Sequence, residues 1–173
     1  MTNPVDTLAE FVSQTQLKNV PDKVQSHAKL VLLDTIGVIL AGFEQPEVQA
    51  LQKTFSATAG SGATVLTRGW PVNDPRSAAL INGTAGTFLE MDEGNRFSRG
   101  HPAVHVIPAA LALCEASGAS AEVFMAAVLV GYEVGSRFGA ASRLRPAMHP
   151  HGTWGTLGAA AACARVAGLG TAA

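Results

Sequence analysis

Four segments of this chain combine helical spacing of apolar residues with a high content of alanine and glycine. They span residues 78–90, 107–116, 121–141 and 156–167. Small side chains at close intervals let neighbouring helices approach closely. The pattern therefore predicts an all-α fold whose helices are closely packed.

The first third of the chain carries helical signals as well. Asp6 can cap a helix over residues 7–17, Pro21 and Asp22 open a longer helix that Gly42 ends, and Pro46 precedes a helix over 47–58. Residues 64–67 form the only convincing strand-like run. We expect an all-α domain with at most one short β-hairpin or strand.

Hydrophobic residues make up 47% of the 173 residues and charged residues only 14%. So few charges leave little polar surface to cover the core, which predicts a large interface. A second subunit in a homodimer, or the remaining part of a longer chain, would cover the apolar surplus. The net charge is −1 and the basic residues are scattered, so nucleic acid is not an expected partner.

Targeting and redox signals are weak in this sequence. Cys114 and Cys163 lie in alanine-rich helical runs, where a small thiol packs well without a disulfide. The first residues lack a signal-peptide pattern, and no stretch approaches the roughly 20 apolar residues of a membrane span. The sequence predicts a cytoplasmic protein with no membrane partner.

A polar loop between two apolar helical runs carries the strongest candidates for chemistry. In the segment from Leu89 to Pro102, Asp92 and Glu93 follow an apolar helix face, where desolvation raises the proton affinity of a carboxylate. His101 is a candidate for proton transfer, the role that histidine side chains often have in enzymes. The alternative is a solvated helix end with a structural histidine.

A second polar segment, Met148 to Gly158, places two histidines before another small-residue helix. Thr153 can cap that helix, and the backbone N–H groups near His151 can receive an anionic substrate or simply be capped. His149 and His151, with His101 and His105, raise zinc as a rival. Pro102 makes one helix through both His101 and His105 uncertain, so we predict no metal site.

The glycines at 152, 155 and 158 do not form a dinucleotide-binding motif, because no strand precedes them. They indicate close helix packing instead. We therefore predict no nucleotide cofactor. Tyr132 is the only phenol that could act as an acid, and its place in an apolar helix favours a structural role.

Several motifs in order resemble the MmgE/PrpD family, which includes 2-methylcitrate dehydratase and cis-aconitate decarboxylase. The resemblance runs from about Leu8 to Leu169. The motifs are Leu33-Asp-Thr-Ile-Gly-Val-Ile-Leu-Ala-Gly42, Asn82-Gly83, Leu89-Glu-Met-Asp-Glu93, His101-Pro102, Ile107-Pro-Ala-Ala-Leu-Ala112, Gly131-Tyr-Glu-Val-Gly135 and His149-Pro150 with Gly155-Thr-Leu-Gly-Ala-Ala-Ala161.

The resemblance implies that residues 1–173 form the N-terminal part of a larger helical domain. Family members are more than twice this length, and their site lies between that domain and a smaller α+β domain, which is absent from this chain. A lysine and a tyrosine that members contribute from later in their sequences have no counterpart here. The chain alone is accordingly expected to be inactive or very weakly active.

By the same resemblance Asp92, His101 and His149 correspond to the catalytic residues of the family. Glu93, His151 and Thr153 are the expected substrate contacts. Glu90 and Glu93 replace the flanking aspartates of the family's Leu-Asp-x-Asp-Asp pattern, and His151 replaces a commonly smaller residue.

The activity implied is a lyase reaction without metal or other cofactor. A base abstracts the proton alpha to a carboxylate of a small hydroxy di- or tricarboxylate such as 2-methylcitrate, and water is eliminated. Decarboxylation and epimerisation share this carbanion-like step and remain alternatives. A catalytically inactive helical module that binds a partner protein is the alternative from another class.

Overall fold

The structure, a computed structural model, describes residues 3–56 and 62–172. Within these residues the chain forms seven α-helices, a short 3₁₀ turn and one two-stranded antiparallel sheet. In chain order the elements are α1 (Pro4–Gln14), the 3₁₀ turn (Leu17–Asn19), α2 (Asp22–Gly42), α3 (Pro46–Ser56), β1 (Ala63–Thr64), β2 (Val72–Asn73), α4 (Pro75–Phe88), α5 (Pro102–Ser117), α6 (Ala121–Ala141) and α7 (Trp154–Val166). The predicted all-α class is confirmed, as is the short hairpin.

The first helix begins three residues earlier than the sequence pattern indicated. Asn3 is its N-cap, because the side-chain oxygen of Asn3 accepts a hydrogen bond from the Val5 backbone N–H at 3.1 Å. Pro4 then occupies the first helical position, where its missing N–H costs nothing. Asp6 therefore lies within the first turn of α1, and the prediction that it caps the helix was wrong.

The predicted strand over 64–67 is shorter than expected and pairs as a hairpin. Ala63 lies opposite Asn73, and Thr64 lies opposite Val72. The buried side chain of Asn82 in α4 holds this hairpin, since it accepts from Leu66 N–H and donates to the Thr64 carbonyl, both at 2.9 Å. The preceding predicted helix is described as far as Ser56, and its last two predicted residues lie outside the described part.

Small residues bring α7 into close contact with α6, as the sequence pattern predicted. A methyl group added at Gly131 would lie 2.7 Å from the Gly158 carbonyl oxygen and 2.8 Å from the Ala162 methyl group. Helices at this separation leave no room for larger side chains. Gly155 and Gly158 thus serve packing, whereas Gly152, with a φ of +77°, has open space around it, so the packing role predicted for it was wrong. Helix α7 is fixed against α6 directly after His149 and His151.

Helix α2 keeps an apolar face exposed to solvent. Leu30 is 63% exposed and Leu33 is 68% exposed, although Ile39 of the same helix is completely buried. By length and composition, both α2 and α6 could cross a membrane, but buried core helices of soluble proteins pass the same test. The homodimer and the cytoplasmic location therefore stay predictions.

Candidate active site

The loop from residue 89 to residue 101, called the acidic loop below, is fixed by its own hydrogen bonds. Asn95 and Gly100 pair as an antiparallel bridge, with Asn95 N–H donating to Gly100 O at 2.8 Å. The Asn95 side chain accepts from the N–H groups of Phe97 and Ser98, and its amide donates to Tyr132 Oη at 3.2 Å. The loop is therefore held in one shape against α6.

His101, the last residue of the acidic loop, is the N-cap residue of α5. Its ring faces Asp92 and Glu93 of the same loop. Its Nδ1 lies 3.0 Å from the Glu93 carbonyl oxygen and 3.3 Å from Asp92 Oδ2. A carbonyl oxygen only accepts, so Nδ1 carries the proton and Nε2 of the neutral ring keeps its lone pair. This tautomer makes Nε2 the proton-accepting atom of His101.

The Asp92 carboxylate is almost completely enclosed, with its side chain only 3% exposed. Its Oδ2 is buried and, among the described residues, accepts no hydrogen bond. In the described part of the chain its one ion-pair contact is with the His101 ring, which carries a charge only when it is protonated. A buried carboxylate oxygen without a donor is costly, so this position favours a cation or an additional donor beside it.

Glu93 binds other parts of the protein with both carboxylate oxygens. Oε1 accepts from the Tyr132 hydroxyl at 2.6 Å, and Oε2 accepts from the Ala103 N–H in the first turn of α5 at 3.3 Å. Burial raises the pKa of Glu93, and the hydrogen bond from Tyr132 opposes this shift. The predicted contact between Glu93 and substrate stays a prediction, because this carboxylate already positions the loop.

Tyr132 links α6 to the acidic loop, a contact that its apolar surroundings in the sequence did not indicate. Burial, and then the hydrogen bond to Glu93, raise the pKa of Tyr132 well above its ordinary value. A phenol that holds its proton this firmly donates to Glu93 throughout the neutral range. Tyr132 therefore has the structural role that we expected, and that role is to hold the acidic loop of the site against α6.

Residues 142–153, called the histidine loop below, connect α6 to α7. His149 is exposed, and its Nδ1 accepts a hydrogen bond from the His151 backbone N–H at 3.3 Å. The Thr153 hydroxyl donates to the carbonyls of His149 and Pro150, at 2.8 and 2.9 Å. Thr153 is the N-cap residue of α7 but makes no side-chain cap, so the predicted capping hydrogen bond was wrong.

His105 on α5 meets His151 of the histidine loop. His151 Nδ1 and His105 Nε2 are 2.7 Å apart. Burial, and then the neighbouring His151, lower the pKa of His105 to about 4. Burial, and then the neighbouring His149, also lower the pKa of His151, so both rings are neutral at pH 7. Gly155 makes room for His105, because an added methyl group would lie 2.6 Å from its Nε2.

The two loops bring together residues that are far apart in sequence. A carboxylate oxygen of Asp92, a ring nitrogen of His101 and a ring nitrogen of His151 all lie within 4.8 Å of one another. The His101 and His151 rings are stacked with centroids 5.3 Å apart. His149 lies one step further out, with its ring centroid 4.5 Å from that of His151.

His101 and His105 do not form a helical metal-binding pair. His101 caps α5 from outside, whereas His105 lies within the helix and meets His151. The sequence analysis did not pair His105 with His151. The spacing of His101 and His105 along the chain could not reveal that the partner of His105 is His151, which lies 46 residues further on.

A groove of about 320 Å³ opens beside this cluster, between α4 and α5. His105 and His151 line its polar end, and small or apolar residues line the rest: Ala79, Leu80, Gly83, Thr84, Thr87, Val104, Pro108 and Ala109. This volume lies at the lower end of the range for small-molecule sites.

The fold and these contacts define a helical domain that presents a carboxylate–histidine pair at the meeting point of two loops. The chain belongs to the MmgE/PrpD family, since the model of the MmgE/PrpD N-terminal domain matches residues 6–173. It is 28% identical over 178 residues to the "Cis-aconitate decarboxylase-like protein oryM" of Aspergillus oryzae, covering 96% of this chain and 37% of that protein.

A second relative is the human "Cis-aconitate decarboxylase", which is 29% identical over 178 residues. The match covers 95% of this chain and 36% of the human protein. The chain thus spans a little over a third of the length of both relatives, and these relatives support a lyase-type family.

Proposed function

We propose that this chain supplies the proton-transfer part of a lyase that acts on a small di- or tricarboxylate. The observation that carries the proposal is the 3.0 Å contact between His101 Nδ1 and the Glu93 carbonyl oxygen, from which we infer that Nδ1 carries the proton. The Nε2 lone pair is thereby held ready to take a proton from a carbon acid. Membership of the MmgE/PrpD family supports the same reaction class.

In the dehydration that we propose, His101 Nε2 removes the proton alpha to a substrate carboxylate. The electron pair of that C–H bond forms the new double bond, and the hydroxyl group leaves from the beta carbon. A second group protonates the departing hydroxide, so that water is released, and we assign this role to His149. Asp92, 3.3 Å from His101 Nδ1, stabilises the imidazolium that forms.

Decarboxylation is the second candidate, and the names of both relatives favour it. In that reaction the C–C bond to a carboxylate breaks, carbon dioxide leaves, and the remaining carbanion takes a proton from protonated His101. The same residues serve both reactions, but they start from opposite protonation states of His101. We propose that epimerisation would use the same proton abstraction with return of a proton to the other face.

Binding of the substrate carboxylates needs positive charge that the cluster itself does not offer. Asp92 and Glu93 are acidic, and His105 and His151 are neutral at pH 7 because burial lowers the pKa of each. The relatives continue well beyond the matched part, and we propose that the corresponding region supplies the cations.

The test is turnover of 2-methylcitrate, citrate and cis-aconitate by the chain and by the longest reading frame that contains it. His101→Ala and Asp92→Ala are expected to lower turnover strongly, by about 10²- to 10⁴-fold for His101→Ala. His27→Ala, an exposed histidine on α2, is the matched control and is expected to retain it. Absence of turnover of all three acids by the longest reading frame would contradict the proposal.

The dependence of rate on pH separates the two candidate reactions. Dehydration needs neutral His101 as the base and protonated His149 as the acid, so its rate passes through a maximum as the pH rises. Decarboxylation needs the imidazolium, so its rate only falls as the pH rises. A rate that follows neither course would exclude His101 as the group that transfers the proton.

The exposed apolar face of α2 favours one function of another class, a helical module that binds a partner protein. A stable complex that buries Leu30 and Leu33, formed by a chain without any turnover, would support this alternative. Turnover that depends on His101 would exclude it.

A further inference from the structure

We propose that Asp92, His101 and His151 also form a binding site for a divalent transition-metal cation of the Zn²⁺ type. One ligand atom of each residue lies within 4.8 Å of the other two. In a tetrahedral zinc site with bonds of about 2.1 Å, the ligand atoms are roughly 3.4 Å apart. Side-chain movements of about an ångström would therefore close these three residues around a cation.

The unpartnered oxygen of Asp92 gives independent support for a cation. Asp92 Oδ2 is buried without a hydrogen bond in the described part of the chain, and the whole side chain is only 3% exposed. No lysine or arginine of the described residues forms an ion pair with it. A metal cation would provide the charge that this buried oxygen lacks.

Both histidines have the outer hydrogen bonds that metal-binding histidines commonly make. His101 Nδ1 donates to the Glu93 carbonyl oxygen at 3.0 Å, and His151 Nδ1 lies 2.7 Å from His105 Nε2. Such contacts fix the tautomer and the ring orientation. His151 Nε2 is thereby the nitrogen available to a metal, whereas the His101 nitrogen that lies beside Asp92 Oδ2 is Nδ1, at 3.3 Å.

Two imidazoles and one carboxylate suit zinc and its neighbours in the first transition series better than magnesium or calcium. Three protein ligands leave at least one coordination position open to water or to a small anion. The cation would bind to Asp92 and His101, the same two residues that we assign to proton transfer. Zn²⁺ is therefore expected to inhibit a lyase reaction at this site, but its binding does not depend on that reaction.

Zinc binding can be measured without any substrate. The purified protein is stripped of metal with a chelator and titrated with Zn²⁺ by calorimetry, while Co²⁺ reports the coordination geometry through its visible absorption. We expect one Zn²⁺ per chain. Asp92→Asn and His151→Thr are expected to weaken binding by more than about 100-fold, beyond the 10- to 100-fold typical of outer-shell changes.

Matched variants separate this site from adventitious binding. His105→Gln, which alters only the outer contact of His151, is expected to weaken binding by about 10- to 100-fold. His27→Gln removes an exposed histidine on α2 and is expected to leave the affinity unchanged. Circular dichroism of each variant shows whether it folds, and shifts of the His101 and His151 ring nitrogens in the NMR spectrum identify the ligands in the unaltered protein.

The proposal is overturned if the unaltered protein binds no stoichiometric Zn²⁺, or if Asp92→Asn and His151→Thr, once folded, bind it as tightly as before. Metal-induced NMR shifts at other histidines would overturn it as well. Turnover that depends on His101, in a protein that binds no Zn²⁺, would leave the lyase proposal intact and reject the metal site. Zinc binding in a protein without turnover would support the metal site and contradict the lyase proposal.

Discussion

The acidic loop and the histidine loop meet at one site, but they are held there very differently. In the acidic loop, Glu93 and Asn95 tie the backbone to α5 and α6 through side-chain hydrogen bonds. The histidine loop contacts α5 through His151 and His105, but its residue His149 is exposed, and the hydrogen bond from Thr153 to His149 stays within the loop itself.

This difference assigns different work to the two loops. A group that abstracts a proton must be held in one orientation before the substrate arrives, and His101 meets that requirement. An exposed ring such as His149 can follow a substrate or a departing group instead. The acidic loop thus fixes the base, and the exposed His149 of the histidine loop adds an adaptable contact beside it.

The largest expected effect follows from replacing the fixed histidine. His101→Ala should lower the rate constant of turnover by about 10²- to 10⁴-fold, the usual contribution of a general base. The measurement is kcat by the protein that turns over the acids named above. A melting temperature equal to that of the unaltered protein shows that the loss is chemical, and an unchanged kcat would remove His101 from the mechanism.

Loss of the contact between α6 and the acidic loop should destabilise the fold. Tyr132→Phe removes a 2.6 Å hydrogen bond to the buried Glu93 carboxylate, which we expect to cost about 1 to 3 kcal/mol in the free energy of unfolding. Urea denaturation measures this change. The control is Arg137→Ala, which breaks an exposed ion pair with Glu133 on the same helix and should cost less than about 1 kcal/mol. Equal costs would mean that Tyr132 does not anchor the loop.

Gly100 is one of the points at which the acidic loop contacts the histidine loop and α7. A methyl group there would lie 2.5 Å from Trp154 Cζ2 and 2.7 Å from Pro150 Cβ, so Gly100→Ala should force the loops apart and cost about 1 to 3 kcal/mol. Gly94→Ala is the matched control in the same loop, because open space surrounds that position, and its effect should stay within about 0.5 kcal/mol. Thermal unfolding of both variants measures the difference. If Gly100→Ala were also neutral, the two loops would not be in contact at Gly100.

The burial of His105, and then its contact with His151, should make the stability of the fold depend on pH. The folded pKa of His105, about 4, lies below its ordinary value of 6.5. Between these values the unfolded chain binds a proton that the folded chain excludes, so the stability present above pH 6.5 is lost as the pH falls to about 4. His151 acts in the same direction, because its pKa is also lowered.

Denaturation at several pH values between 4 and 7 measures this dependence, and His105→Gln should flatten it. Glu93 acts with the opposite sign near pH 4.5, because its pKa is raised. Comparison of the two proteins at each pH cancels that contribution. Identical slopes for both proteins would show that His105 does not remain neutral in the fold.

The smallest expected effect comes from the exposed ring of the histidine loop. His149→Ala should change the free energy of unfolding by no more than about 0.5 kcal/mol, the usual limit for surface positions. Its effect on kcat should be smaller than that of His101→Ala. A His149 variant that loses stability like Tyr132→Phe would mean that the two loops are held alike.

The helices were largely predictable from the sequence because their signals are local. The capping residue Asp74, the αL glycine Gly118 and the glycines that line α7 each determine structure within a few residues. Helix α1 was misplaced because Asn3 and Asp6 are both good caps, and Pro4 decides between them. The family followed from motifs in the right order.

The site was predictable only in part. Asp92 and His101 are separated by nine residues, and their loop composition indicated chemistry. The contacts of His105 with His151, and of Tyr132 with Glu93, join residues separated by 46 and 39 positions. No local pattern encodes such pairs. They depend on how α5, α6 and α7 pack. That packing determines that Glu93 is hydrogen-bonded through both oxygens, whereas Asp92 Oδ2 accepts no hydrogen bond from the described residues.

The central claim is that His101, held by the Glu93 carbonyl and faced by Asp92, transfers the proton. Exchange of substrate C–H for deuterium in D₂O, followed by proton NMR with 2-methylcitrate, citrate and cis-aconitate, tests it most directly. We predict exchange at the carbon alpha to a carboxylate that His101→Ala abolishes and His27→Ala preserves. Exchange that persists undiminished in His101→Ala, or that is absent from the unaltered protein in its longest reading frame, would contradict the claim.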